Sequence, residues 1–102
     1  MNGYILIINP FAQLEIREAK NWYNLQKENL GDEFLYEIKN TIQRIQTKPF
    51  QFPLERREIR KAVLNKFPYS IFFFISESII NVFAVFHASR NPMLWKSRFK
   101  NK

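Results

Sequence analysis

The spacing of apolar residues changes once along this chain, between Pro49 and Pro53. Before that point Ala12, Ile16, Ala19 and Tyr23 step by four, three and four, and Leu35, Ile38, Ile42 and Ile45 by three, four and three. Such steps gather residues on one side of a helix. Phe11, Leu14, Glu18, Trp22 and Leu25 run beside the first set, so the first helix should carry a broad apolar face with Trp22 and Tyr23 in the core. Phe34 joins the second set. After that point, residues 59–64, 69–75 and 79–87 form strand-length apolar runs, parted by Phe67-Pro68 and by Glu77-Ser78. Helices followed by strands with short connections define an α+β chain.

Residues 4–8 read as a short buried strand, and Asn9-Pro10 as a cap followed by proline at the first helical position. Gly31 reads as the stop of the first helix and Asp32 as the cap of the second. The expected architecture is β-α-α-β-β-β, an antiparallel helical hairpin packed on one face of a mostly antiparallel four-stranded sheet, in a single domain over 1–102. In the last strand, Ile80, Val82, Ala84 and Phe86 should share one side, and Ile79, Asn81, Phe83, Val85 and His87 the other. Both sides are apolar, so the second face needs cover, from the tail or from a partner. Asn91-Pro92 ends the strand, and the tail holds Trp95 and Phe99 as a short helix or an extended arm.

The chain has 102 residues, no cysteine and one histidine. That removes disulfides, thiolate nucleophiles and cysteine metal sites, and neither a metal nor a cofactor is expected. The longest apolar runs, 71–75 and 82–86, are far too short to span a bilayer, and no targeting segment is visible. A cytoplasmic protein is expected. The net charge of +7 favours polyanionic partners such as nucleic acid, the ribosome, anionic lipid or an acidic protein.

The second half contains Arg60-Lys61-Ala62-Val63-Leu64, then Lys66-Phe67-Pro68-Tyr69-Ser70-Ile71-Phe72-Phe73. It closes with His87-Ala88-Ser89-Arg90-Asn91-Pro92, then Trp95 and Arg98. The first half adds Glu18-Ala19-x-x-Trp22-Tyr23 and Leu30-Gly31-x-x-Phe34. In this order, and over nearly the whole chain, these pieces resemble the RelE/ParE superfamily of toxins. The resemblance implies a toxin of a bacterial type II toxin–antitoxin system that arrests growth, a role tied to plasmid stabilisation. Its partner would be a cognate antitoxin, acidic and partly disordered. RelE-like members cut mRNA on the ribosome, whereas ParE-like members poison DNA gyrase, and a fold does not choose between them.

The resemblance carries over Arg60 and Arg90 as phosphate-holding cations of a metal-independent ribosome-dependent endoribonuclease. His87 is the only histidine, the side-chain type whose ordinary pKa lies near neutrality, and is a candidate general acid or base or a structural anchor of the loop. If the strands pair as expected, Arg60 comes near His87 and Arg90. Lys66, Trp95 and Arg98 are candidates for target binding; Phe99 and Lys100 extend that basic, aromatic segment, and Trp95 packing back on the sheet is the simpler reading. Two departures favour the ParE-like action. The C-terminal segment has no tyrosine, and Trp95 cannot titrate. The cations before Arg60, Arg56 and Arg57, are partly offset by Glu55 and Glu58. A non-toxic relative that only binds an antitoxin is the third reading.

Overall fold

The computed structural model describes residues 3–100, with side chains as far as Arg98. Its elements run β1 (Ile5–Ile8), α1 (Pro10–Gln26), α2 (Leu30–Thr47), a 3-10 turn (Pro49–Gln51), β2 (Leu54–Arg56), β3 (Ile59–Val63), β4 (Tyr69–Ser76), β5 (Ile79–His87) and α3 (Met93–Lys100). The sheet order is β1-β5-β4-β3-β2, with β1 parallel to β5 and every other pair antiparallel. The sheet therefore has five strands, not the expected four. The additional strand, β2, is three exposed residues, two of them charged, that turn back onto β3 through Arg57 at a φ of 52°. No burial alternates along Leu54-Glu55-Arg56, and the turn lacks the glycine or asparagine that usually marks a hairpin.

Asn9 opens α1 as expected, its Oδ1 accepting the Ala12 N–H at 2.9 Å with Pro10 at the start of the helix. The turn between the helices differs from expectation. α1 stops at Gln26, and Asn29, at a φ of 68°, leads into α2. Gly31 is thus not a stop but lies inside α2, and Asp32 sits in that helix's first turn rather than capping it. Close approach explains the glycine: a Cβ there would lie 2.0 Å from the Lys20 carbonyl oxygen. The Gly31 N–H donates to Asn24 Oδ1 at 2.7 Å, which pins the two helices together.

Ala12, Ile16 and Ala19 of α1 and Phe34, Ile38 and Ile45 of α2 bury against Ile71, Phe73, Ile80 and Val82 of the sheet. The broad face expected of α1 is therefore only half used. Tyr23 packs on this core, but Trp22 is 55% exposed and is not a core residue. Tyr23, Phe34, Phe67 and Tyr69 pack ring against ring, tying both helices to the β3–β4 connection.

β5 does not alternate regularly. Phe73 pairs with Val82 and Phe72 with Ala84, which leaves Phe83 as the extra residue of a β-bulge. Ile80 and Val82 face the hairpin before the bulge and Val85 after it, while Phe83, Ala84 and Phe86 face the other way. The expected grouping of Ile80, Val82, Ala84 and Phe86 is broken for this reason. That second face is covered by the tail, which forms α3; Asn91 Oδ1 accepts the Met93 N–H at its start. Trp95 is 2% exposed and stacks on Phe72 at 4.5 Å. The side chains of Phe99 and Lys100 lie outside the described residues.

β1 lies at the sheet edge and extends only along Ile79 to Val82. Its outward carbonyls at Tyr4 and Ile8 accept from the side chains of Gln46 at 3.0 Å and Gln13 at 2.7 Å, which blunts this edge against strand addition. Among the described residues, no helix is long and apolar enough to cross a membrane.

Candidate functional site

β1 ends level with Val82, so the rest of β5 has no strand on that side. Side chains take its place. Arg98 of α3 donates to the Phe83 carbonyl at 2.8 Å, and Glu15 of α1 accepts the Val85 N–H at 2.9 Å. The two residues also pair with each other, Arg98 Nη2 to Glu15 Oε2 at 2.9 Å and Nη1 to Oε1 at 3.2 Å. Arg90 reaches the same carboxylate at 3.3 Å while its guanidinium lies 3.9 Å over the Phe86 ring. One glutamate thus gathers the last strand, the following loop and the last helix. Its side chain is 11% exposed, so the contacts are only weakly screened.

His87 stands at the end of β5, edge-on to Tyr69 at 5.1 Å. Its Nδ1 accepts the Ser89 N–H at 3.0 Å and lies 2.9 Å from the Ser89 hydroxyl. With Nδ1 accepting from the backbone, Nε2 is the ring nitrogen that faces outward as a donor. His87 and Arg90 lie between two hollows. One, of about 580 Å³, opens on the helical side between α1 and Tyr69. The other, of about 200 Å³, lies on the far side against Lys61, Ser70 and Trp95.

Arg60 is elsewhere. Its Nη1 donates to the Phe52 carbonyl at 2.6 Å and its guanidinium lies 4.9 Å over Phe50, so it holds the 3-10 turn. It pairs across the sheet with Phe73, four positions along β4 from Tyr69, the partner of His87. Four strand residues span roughly 13 Å, so the expected meeting of Arg60 with His87 and Arg90 does not occur. The strand cation that does line the hollow beside Arg90 is Lys61, paired with Glu55 at 3.8 Å. Lys61 follows Arg60 in β3 and so faces the other side of the sheet, and that alternation is the sequence signal that points to it.

The three candidates for target binding separate. Lys66 is exposed on the β3–β4 connection, whose backbone N–H groups at Asn65 and Lys66 donate to the Glu37 carboxylate. Arg98 is bound to Glu15 and Phe83, and Trp95 is buried, so neither offers a free group to a target in this conformation.

Burial raises the Tyr69 hydroxyl pKa, with further upward push from Tyr23 and Glu15 and an opposing pull from Arg90. Burial raises Tyr23 as well. Unfolded tyrosine loses its proton near pH 10 and folded Tyr69 holds it to higher pH, so above pH 10 the folded state binds more protons and loses stability. The denaturation midpoint should be level between pH 8 and 9.5 and fall above pH 10. Tyr69→Phe should make that fall shallower in urea titrations, and an unchanged slope would show that Tyr69 does not carry it.

A helical hairpin on one face of this sheet and a short C-terminal helix on the other form a fold shared with solved toxin structures. A chain of the chromosomal ParDE toxin–antitoxin system from P. aeruginosa matches it with a TM-score of 0.75, over 84% of this chain and 97% of that one, at 16% identity. The isolated E. coli RelE toxin matches at 0.65, over 98% and 100%, with 16% identity. A chain of the intact E. coli RelBE toxin–antitoxin complex matches at 0.66, over 86% and 100%, with 18% identity. No protein-family model matches the sequence, and no curated protein does.

Proposed function

We propose that this chain is the toxin of a toxin–antitoxin pair, silenced by a cognate antitoxin, and that it acts in the ParE manner on a large target such as DNA gyrase. The observation that carries the choice of target is the state of the arginines. Arg60, Arg90 and Arg98 each make internal contacts, and Arg60 stands apart from the other two. A nuclease needs a base, an acid and cations converging on one phosphate. A protein that works by binding needs only a stable surface. The resemblance to ParE and RelE toxins supports the toxin reading, and the charge of +7 suits an acidic, partly disordered antitoxin.

A second reading has its own support. Lys61, His87, Arg90 and Trp95 line one hollow. A ribosome-dependent endoribonuclease could work there once Arg90 turned from Glu15 to a phosphate.

Induction of the chain without its genetic neighbour separates the two. Growth arrest with intact mRNA, together with linear DNA accumulating when the purified chain meets gyrase, is the expected result. New mRNA 5′ ends inside translated codons, absent in Arg90→Ala and Lys61→Ala strains that still hold folded protein, would establish the nuclease instead. Harmless overproduction would leave only antitoxin binding.

A further inference from the structure

α1 shows a second apolar stripe to solvent. Phe11, Leu14, Trp22 and Leu25 are 60%, 40%, 55% and 83% exposed, and they follow one another at helical spacing around Glu18. Isolated exposed apolar residues are ordinary, but a continuous row on one helix marks a docking face. The hollow of about 580 Å³ opens beside this row, and Glu18, Trp22, Tyr23 and Tyr69 line it. Two carboxylates reach it, in different states. Glu15 is engaged by Arg98, Arg90 and the Val85 N–H. Glu18, among the described residues, makes no hydrogen bond or ion pair.

The stripe is symmetric about Glu18. Laid antiparallel on a second copy, Phe11 would meet Leu25, Leu14 would meet Trp22, and Glu18 would meet Glu18. Two carboxylates would then face each other inside an apolar contact, which disfavours self-association. A partner with a cation at that central position gains where a second copy loses. Its ammonium or guanidinium would meet a carboxylate and the faces of Trp22 and two tyrosines, a setting that suits a cation.

We infer that the outer stripe of α1 docks an amphipathic helix of a partner protein, with apolar residues flanking a lysine or arginine that enters the pocket at Glu18. This rests on the reading of the chain as one member of a protein pair. It also adds a local rule to the overall charge. The partner as a whole is drawn by the +7 surface, whereas its register on α1 is set by one positive residue opposite Glu18.

The test uses a displayed library of helical peptides, apolar at the positions that mirror the stripe and carrying Lys, Arg, Gln, Leu or Glu at the centre. The purified chain should bind the Lys and Arg peptides about tenfold more tightly than the Glu peptide. Glu18→Lys should invert that order, and Leu14→Asp should abolish binding to all of them. Sedimentation should show the wild type as a monomer, with Glu18→Leu self-associating. Equal affinity whatever the central residue, a preference unmoved by Glu18→Lys, no peptide bound at all, or a wild-type dimer through the stripe would each overturn the inference. None of these readouts needs toxicity. A chain that arrests growth yet ignores the central residue defeats this inference alone, and a harmless chain that selects lysine defeats only the toxin reading.

Discussion

Gly31→Ala should severely destabilise this chain. The added Cβ would lie 2.0 Å from the Lys20 carbonyl oxygen and 2.7 Å from Asn24 Cγ. The asparagine can turn, but the carbonyl belongs to the backbone of α1 and cannot move unless the helices part. Parting them breaks the bond from the Gly31 N–H to Asn24 and opens the aromatic contacts that Tyr23 makes with Phe34. Overpacking ordinarily costs about 1–3 kcal/mol, and a clash against backbone belongs beyond the top of that range, at about 4 kcal/mol. For a chain of this size that would lower the melting temperature by roughly 16–32 °C. Helix propensity acts the other way, since alanine is the better helix former by about 1 kcal/mol. A Gly31→Ala protein as stable as wild type in thermal melts would therefore show that the two helices are not in contact there.

Glu15→Ala should come next. It leaves the Val85 N–H without an acceptor, Arg98 half-buried with only the Phe83 carbonyl and aromatic rings, and Arg90 with only Phe86. Removing one partner of a fully buried pair costs about 3–5 kcal/mol; Arg98 is 22% exposed, which favours the lower end, about 3 kcal/mol. Glu15→Gln separates the two components of the loss. Its carbonyl oxygen can still accept from Val85, while the charge that holds both arginines is gone. Urea titrations should place it between wild type and Glu15→Ala. The same variant frees Arg90 and Arg98 for external anions, so affinity for a short RNA should rise at low salt. Equal stability of all three proteins would mean that the carboxylate is solvated, not structural.

The local devices of the fold were legible in the sequence and the long-range ones were not. Asn9-Pro10 announced α1 because a cap acts on its own first turn. The bounds of β5 followed from an apolar run and its breaker. The bulge at Phe83 carried no such signal, because the shift is decided by the partner strand and by Glu15 waiting at Val85. Glu15 and Arg98 stand 83 residues apart, and no periodicity connects them. Arg60 was expected near His87 and Arg90 from an assumed pairing of the strands, whereas the register with Phe73 places it four positions along β4 from the partner of His87. Trp22 was read as core because two stripes at helical spacing look alike until one of them finds a surface to cover.

The parallel pairing of β1 with β5 sets an order of events during synthesis. The first strand made lies beside one of the last, and the strand in between on the ribosome's schedule cannot substitute for it. At about 5–20 residues per second, the stretch from Ile8 to Ile79 takes roughly 4–14 s to emerge. Throughout that interval the helical hairpin can form from neighbours in the chain, but the strand before it has nothing to bond. Assembly waits for residues 79–100, which supply a strand bonded on both sides and then the helix that seals its far face. A nascent chain interrupted before that point lacks the strand that joins β1 to β4, and with it the backbone that Glu15 and Arg98 bind.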